Sequence, residues 1–279
     1  ATHKAYGGVV PEIASREHLR KISSVVKEAI RVSNVPMESL DAIAVTKGPG
    51  LIGSLLVGVS YAKAMAFSLG IPLIGVHHLS GHLYGGIMSA EQLEPPLVAL
   101  IASGGHSTLV FMKDHLNFEV MGETRDDAAG EVLDKVARAL GLPYPGGAAL
   151  EHMAMEGDRT AIDFPRAWLD ENSFDFSFSG LKSSVLNYLN RAAMKGENPC
   201  FPDVAASFQE ALFEVLAVKS VKACKERSCY DLVLSGGVAA NNRLKEMIGS
   251  LAAENDIRFH YPPKVLCTDN AAMIGSVAY

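Results

Sequence analysis

The sequence predicts an α/β protein built as two modest lobes with helices flanking its sheets, and three observations carry that expectation. Short apolar runs of strand length alternate with longer amphipathic stretches. Strand, glycine turn and helix recur in both halves. With 279 residues and 48% hydrophobic content, the chain can bury sizeable cores.

Taken in order, Ser15 to Val32 spaces Leu19, Ile22, Val25, Val26 and Ile30 three and four residues apart. This predicts an amphipathic helix laid over a sheet. The run Ala42 to Thr46, a glycine turn, a small-residue helix from Gly53 to Leu69 and the run Pro72 to Val76 read as a β-α-β unit with parallel strands. Pro95 to Met112 reads as two strands joined by a Ser-Gly-Gly turn, where a second lobe is expected to begin. Asp203 to Glu226 predicts a long helix with Val204, Phe208, Leu212, Val215 and either Val218 or Val221 inward. The strand YDLVLS and a Gly-Gly turn into another helix follow. Lys195 to Pro202, with one glycine and two prolines, reads as a surface loop.

A formal net charge of −6 argues against electrostatic capture of nucleic acid by the chain as a whole, while leaving room for a local basic patch. Cys200, Cys224, Cys229 and Cys267 form no CxxC pair and no disulfide scaffold, which predicts a reducing, cytoplasmic compartment. The longest apolar stretch, Leu51 to Leu69, is broken by glycines, Ser54 and Lys63, so neither a membrane span nor a membrane partner is expected. The chain opens at Ala1 without a signal-peptide pattern and closes on AAMIGSVAY, a helix in mid-course, so it reads as a fragment.

His78 and His82, in GVHHLSGHL, carry the strongest chemical signal. Two imidazoles four apart on a helix share one face and can grip one metal ion, although capped or surface histidines give the same word. Leu79 stands where a zincin places its general-base glutamate, so HExxH chemistry fails there. GPGLIG (Gly48 to Gly53) matches GxGxxG, but no acidic residue follows at the ribose distance. A tight turn, with Gly53 and Gly58 packing helix to strand, is the better reading. SGGHS (Ser103 to Ser107) and SGGVAAN (Ser235 to Asn241) are glycine turns at strand ends whose bare amides can approach phosphate oxygens. Asn241 could cap the next helix or bond a ribose or base. Glu131 and Asp134 could accept ribose hydroxyls or form a solvated acidic face. Asp269, just before a helix, is either an N-cap or a third metal ligand.

Nine segments in order, GGVVPEIASREH (Gly7 to His18), GPGLIGSLLVG, HHLSGH, SGGH, DDAAGEVLDKVARALGLPYPGG (Asp126 to Gly147), FSFSGLK (Phe176 to Lys182), DVAASFQEA, SGGVAAN and CTDN, closely resemble the TsaD/Gcp family. These are tRNA N6-adenosine threonylcarbamoyltransferases, formerly described as O-sialoglycoprotein endopeptidases. The resemblance implies an actin-like ATPase, or sugar-kinase-like, two-lobed fold of mixed sheets flanked by helices. Lobe I would be residues 1–92 completed by 270–279, and the nucleotide-binding lobe II residues 93–269. It implies one divalent metal held by His78, His82 and Asp269, Fe2+ first and Zn2+ as the alternative, a donor set suited to either. It further implies an adenine nucleotide, threonylcarbamoyl-AMP or ATP, contacted by Ile101, Ala102, Ser103, Gly104, Gly105, Asp134, Gly147 and Asn241, with Glu151 a weaker ribose candidate. The implied reaction moves a threonylcarbamoyl group from its adenylate to N6 of the adenosine 3′ of the anticodon in tRNAs reading codons that begin with A. The implied partners are tRNA and, in a bacterium, TsaB-like and TsaE-like helper proteins; in an organelle the compartment would be mitochondrial.

The chain also departs from the family pattern. Members start with a segment resembling GIETSCDET, which reaches the phosphates and supplies the acidic residue thought to act in catalysis; this chain starts after it, so no catalytic side chain is assigned and weak activity is expected. Ser80 stands where many bacterial members have Glu, without bearing on the ligand histidines. Three other functions compete. A glycoprotease lacks the HExxH glutamate and any GxSxG or Cys-His word. A nucleotide-binding scaffold would not need the three metal ligands. A metabolite kinase would need an aspartate base that SGGHS does not offer.

Overall fold

The computed structural model describes residues 9–88, 90, 93–115, 117–170 and 172–279; Gly7 and Gly8 of the first motif lie outside them. The chain forms two compact units, Ala1–Tyr84 with Asn270–Tyr279, and Gly85–Asp269.

The first unit contains helix α1 (Pro11–Ser33), strand β1 (Ile43–Gly48), α2 (Ile52–Leu69), β2 (Leu73–His77), the start of α3 (His78–Ile87) and α10 (Ala271–Ala278). Proline in the first turn suits α1, since the N–H it lacks has no helical partner there. Asn34, in the left-handed region at φ 55°, ends that helix. β1 and β2 pair in parallel, with Ile43 opposite Leu73 and Thr46 opposite Val76. α10 packs on both strands, and Met273 and Ile274 join Val76 in a small core.

Two expectations change in this unit. A Cβ built on Gly58 would lie 3.8 Å from Val45 of β1, but one on Gly53 would lie 3.1 Å from Ser15 of α1, so Gly53 serves a helix-to-helix contact. α1 accordingly lies against α2 and not over a sheet. Leu19 and Val25 stay 68% and 63% exposed, while Ile22, Val26 and Ile30 are half-buried. α2 is long and apolar enough to cross a membrane by length and composition, with Ser54 and Lys63 interrupting the run.

The second unit is built on β3 (Leu97–Ala102), β4 (Ser107–Met112), β5 (Phe118–Glu123), β6 (Asp231–Ser235) and β7 (Arg258–His260), in the order β5-β4-β3-β6-β7. β3, β4 and β5 pair antiparallel, whereas β3, β6 and β7 run parallel. Every residue of β3 is buried, as an unbroken apolar run requires in a strand covered on both faces. β5 and β7 escape a periodicity reading because β5 is a mostly exposed edge strand and β7 only three residues long.

Helices α4 (Ala129–Ala139), α5 (Gly147–Ala154), α6 (Ser179–Lys195), α7 (Phe201–Glu226), α8 (Asn242–Ala253) and the short α9 (Lys264–Cys267) cover the sheet. α7 is the central one: Val204, Phe208, Leu212 and Val215 are sealed. Val221, at 6% exposure, takes the inward place that Val218, at 37%, does not. The loop before α7 is shorter than expected, because Phe201 and Pro202 already belong to its first turn. The division between the units lies inside α3, after Tyr84, where the sequence reading divides after Gln92; residues 91 and 92 lie outside the described set.

Candidate active site

α3 begins directly at the end of β2, so His78 sits in its first turn and His82 one turn on. Their rings lie edge to face with centroids 4.6 Å apart, and His82 is 1% exposed. Gly81 lets α3 approach α10, since a Cβ there would come within 2.8 Å of Ile274 Cδ1. At the start of α10 the N-cap is Asn270, whose Oδ1 accepts from the Met273 N–H at 2.9 Å. The capping alternative for Asp269 is therefore corrected: its neighbour occupies that place, and the Asp269 carboxylate stays exposed. The donor atoms of His78, His82 and Asp269 all lie within 4.8 Å of one another. An ion bound at about 2.1 Å holds its donors about 3–4 Å apart, somewhat closer than the 4.8 Å limit seen here. Two imidazoles and a carboxylate suit iron(II) or zinc and leave coordination positions for substrate or water.

Both Ser-Gly-Gly turns lie at the carboxyl ends of neighbouring parallel strands, β3 and β6, the position where open α/β sheets bind ligands. Gly236 has φ +92°, and a Cβ on it would meet Ala102 O at 2.3 Å, so only glycine fits. A Cβ on Gly130 would meet Ser103 O at 2.7 Å; its amide instead donates to that oxygen at 3.1 Å, tying α4 to the first turn. Ser103 Oγ accepts from the Gly105 and His106 amides, at 3.4 and 3.1 Å. Among the described residues the Gly104 amide is left without an internal acceptor. Ile101 and Ala102, in contrast, are sealed, and β4 and β6 flank Ile101 on both sides. They aim the turn, and their side chains cannot meet a ligand.

The residues expected on the ribose side also hold their neighbours. Asp134 Oδ1 accepts the Gly146 N–H at 2.7 Å. Burial pushes its carboxyl above the usual range, with amide hydrogen bonds from Gly146 and Gly147 partly offsetting this. Glu131 instead pairs with Lys135 at the surface. A Cβ on Gly147 would meet nothing within 4 Å, although its amide, like that of Gly146, is taken by Asp134. Glu151 accepts the Asn242 N–H at 2.8 Å. Asn241 is a helix cap, its Oδ1 accepting from Leu244 N at 3.2 Å, and its Nδ2 donates to Gln209 Oε1 at 3.0 Å. Gln209, 2% exposed, in turn donates to Leu150 O at 3.2 Å.

Gln209 is a residue that reading by motif misses, because inside DVAASFQEA it has the spacing of any helix residue. The Asp126–Asp127 pair is another. Asp126 accepts from Ser177 Oγ and Ser179 Oγ, at 2.5 and 2.7 Å, and from the Phe178 amide at 2.8 Å, fixing the start of α6. Burial alone would raise its carboxyl, but these hydrogen bonds outweigh that and hold it low. Asp127 bridges Lys135 and Lys182. The cysteines offer no buried nucleophile: burial pushes the Cys224 thiol up to about 12 and raises Cys229 and Cys267.

The second unit's mixed sheet, flanked by helices and with glycine turns at the carboxyl ends of β3 and β6, gives the chain the α/β fold of the actin-like class. Solved structures share it: full-length HypF in a phosphate- and nucleotide-bound form aligns with TM-score 0.67 at 16% identity over 91% of this chain and 48% of its own. HypF of T. kodakarensis aligns at TM-score 0.68 and 19% identity over 92% of this chain and 43% of its own. The chain thus spans just under half of those proteins, and at such identity the likeness shows the fold alone. A family model described as TsaD, tRNA N6-adenosine threonylcarbamoyltransferase, matches residues 1–276. Curated proteins of that name from Clostridioides difficile and Moorella thermoacetica are 55% and 54% identical over all of this chain and 82% of their own length. One from Staphylococcus carnosus is 52% identical over 80% of its length. The chain belongs to the TsaD family of tRNA N6-adenosine threonylcarbamoyltransferases.

Proposed function

We propose that this protein modifies tRNA, transferring the threonylcarbamoyl group of threonylcarbamoyl-AMP to N6 of the adenosine 3′ of the anticodon in tRNAs that read codons beginning with A. Family membership supports the acyltransferase activity and the tRNA substrate. The observation that carries the metal-dependent form of the reading is the convergence of His78, His82 and Asp269 within 4.8 Å. Those residues would hold one divalent ion, iron(II) first and zinc second, which supplies Lewis-acid polarisation when bound.

The chain's own groups have separate tasks. The Gly104 amide, at the end of β3, donates to a phosphate oxygen of the adenylate as AMP departs. The start of α5 at Gly147, with Asp134 and Glu151, would take the ribose; Asp134 already holds the Gly146 amide and Glu151 the Asn242 amide. Asn241 is fixed at the adenosine side by Gln209. Attack by the exocyclic amine breaks the bond from the carbamoyl carbon to the phosphate oxygen, forms the new C–N bond and releases a proton and AMP. The site works in the cytoplasm, or in mitochondria for an organellar source, with TsaB-like and TsaE-like helpers in a bacterium.

The test is threonylcarbamoylated adenosine in tRNA, measured together with bound metal, for the wild type and for His82→Ala. Loss of both in the variant supports the reading, and retention of the metal overturns the ligand assignment.

A further inference from the structure

We propose that a groove along α6, in the second unit, receives unpaired nucleotides of the RNA substrate. The inference rests on tRNA being the substrate and assigns a surface for it. The groove encloses a cavity of about 370 Å3, and Gly180, Ser183, Ser184, Asn187, Tyr188 and Arg191 of α6 form one wall. These positions recur at helical spacing, so they share one face.

Charge sets this helix apart. α6 reads SGLKSSVLNYLNRAAMK, three cations and no carboxylate, in a chain of net charge −6. Lys182 is engaged by Asp127, and Lys195 lies 3.7 Å from Glu197. Arg191 is exposed and, among the described residues, pairs with no carboxylate. The acidic member of the opposite wall, Asp163, lies 3.1 Å from Arg166, which it shares with Glu214 at 2.9 Å. Arg191 is thus the one cation lining the groove that has no carboxylate partner among the described residues. Among the described residues the side chains of Ser183, Ser184 and Asn187 make no hydrogen bond, so their donors and acceptors are available.

The aromatic component decides the ligand class. Tyr188 is half-buried, and its ring stands at 83° to Phe164 with centroids 5.9 Å apart, an edge contact that steadies it in the groove wall. A steadied aromatic, an unpaired arginine and spare hydroxyl and amide groups are what stack a splayed base, neutralise a phosphate and bond a ribose. A free inorganic anion would call for several converging cations, and a docked helix for an apolar floor; the groove has neither. Its head is tied to the phosphate turn: Asp126 binds Ser177, Phe178 and Ser179, and three residues on from Asp127 the Gly130 amide donates to Ser103 O. RNA lying along α6 would thus lead toward the carboxyl end of β3.

The test is the affinity of the purified protein for unmodified substrate tRNA across a salt series, in the wild type, Arg191→Gln and Tyr188→Leu. Arg191→Gln is expected to weaken binding about fivefold at physiological salt and to lower the salt slope by about one. Tyr188→Leu, which keeps the apolar volume, is expected to weaken it about tenfold with the slope unchanged. Adenine-nucleotide affinity stays the same in both, because neither residue lies at the glycine turns. Unchanged affinity and slope in variants of a wild type that binds and modifies tRNA overturn the groove and leave the transferase reading intact. A parallel loss of nucleotide affinity overturns it too, by showing a structural effect. A wild type that binds no tRNA overturns the substrate reading and the groove together.

Discussion

Replacing Gln209 by leucine separates packing from hydrogen bonding around Asn241, because the two side chains have similar volume and no cavity opens. Gln209 is 2% exposed and bridges α5 to the residue before α8, donating to Leu150 O at 3.2 Å and accepting from Asn241 Nδ2 at 3.0 Å. In Gln209→Leu the Asn241 amide loses its acceptor where it is itself only 6% exposed. A buried donor left unmade costs about 1–3 kcal/mol. Leu150 O keeps its helical partner and loses only a second donor, about 0.5–1 kcal/mol, giving a central value of about 2–3 kcal/mol within a range of about 1.5–4. For a unit of this size that is a fall in Tm of about 5–10 °C. Trp168, the single tryptophan, lies in the second unit and reports the transition by fluorescence. Adenine-nucleotide affinity should fall about tenfold, since Asn241 loses its anchor, while bound metal is unchanged. A destabilisation below about 0.5 kcal/mol with nucleotide affinity intact would refute the argument that this network positions Asn241.

Adjacent residues at the start of α10 should separate by role: Asp269→Asn abolishes metal retention with little change in stability, whereas Asn270→Ala costs about 1 kcal/mol and keeps the metal, checked by elemental analysis and urea unfolding. The two glycine turns divide similarly. Gly236→Ala, strained at φ +92° and against Ala102 O, is expected to lose more than about 2 kcal/mol, whereas Gly104→Ala, with nothing within 4 Å, folds normally and loses nucleotide affinity in calorimetry. Asp231 supplies an acid limb to the stability profile. Burial alone would raise its carboxyl, but Arg258 and His260 outweigh that and hold it low. Its contribution is therefore complete above the unfolded value of about 3.9 and is lost as pH falls through the lower folded value. Denaturation midpoints between pH 2.5 and 6 should fall less steeply in Asp231→Asn; an identical acid limb would rule this out.

Strong periodicity made the elements legible in proportion to how locally they are determined. α7 could be read with its inward residues because 3.6-residue spacing is a property of the chain, and only the choice between Val218 and Val221 needed the packing. The β3–β4 hairpin followed from two apolar runs around Ser-Gly-Gly. α1 misled, since amphipathic spacing says that a helix has an apolar face and not what will cover it; Leu19 and Val25 remain exposed. Asn241 was open between cap and ligand until its partners Leu244 and Gln209 were in view.

By itself the sequence determined the α/β class, the HxxxH pair, the glycine turns and the nine ordered segments that mark the family, because each is a matter of residue type at short spacing. Only the tertiary structure decided that Asn270 and not Asp269 caps α10, that Asp269 comes within 4.8 Å of both histidines, and that the two Ser-Gly-Gly turns end neighbouring strands. Only it shows Gln209 and Asp126 as the groups that hold the site's parts in place. For the cap the reason is local geometry, since Asn270 and Asp269 are both good N-caps; for the rest, a hydrogen bond, a strand pair or a shared ligand position joins residues 30 to 190 apart, and no local pattern records which partners the packed chain brings together.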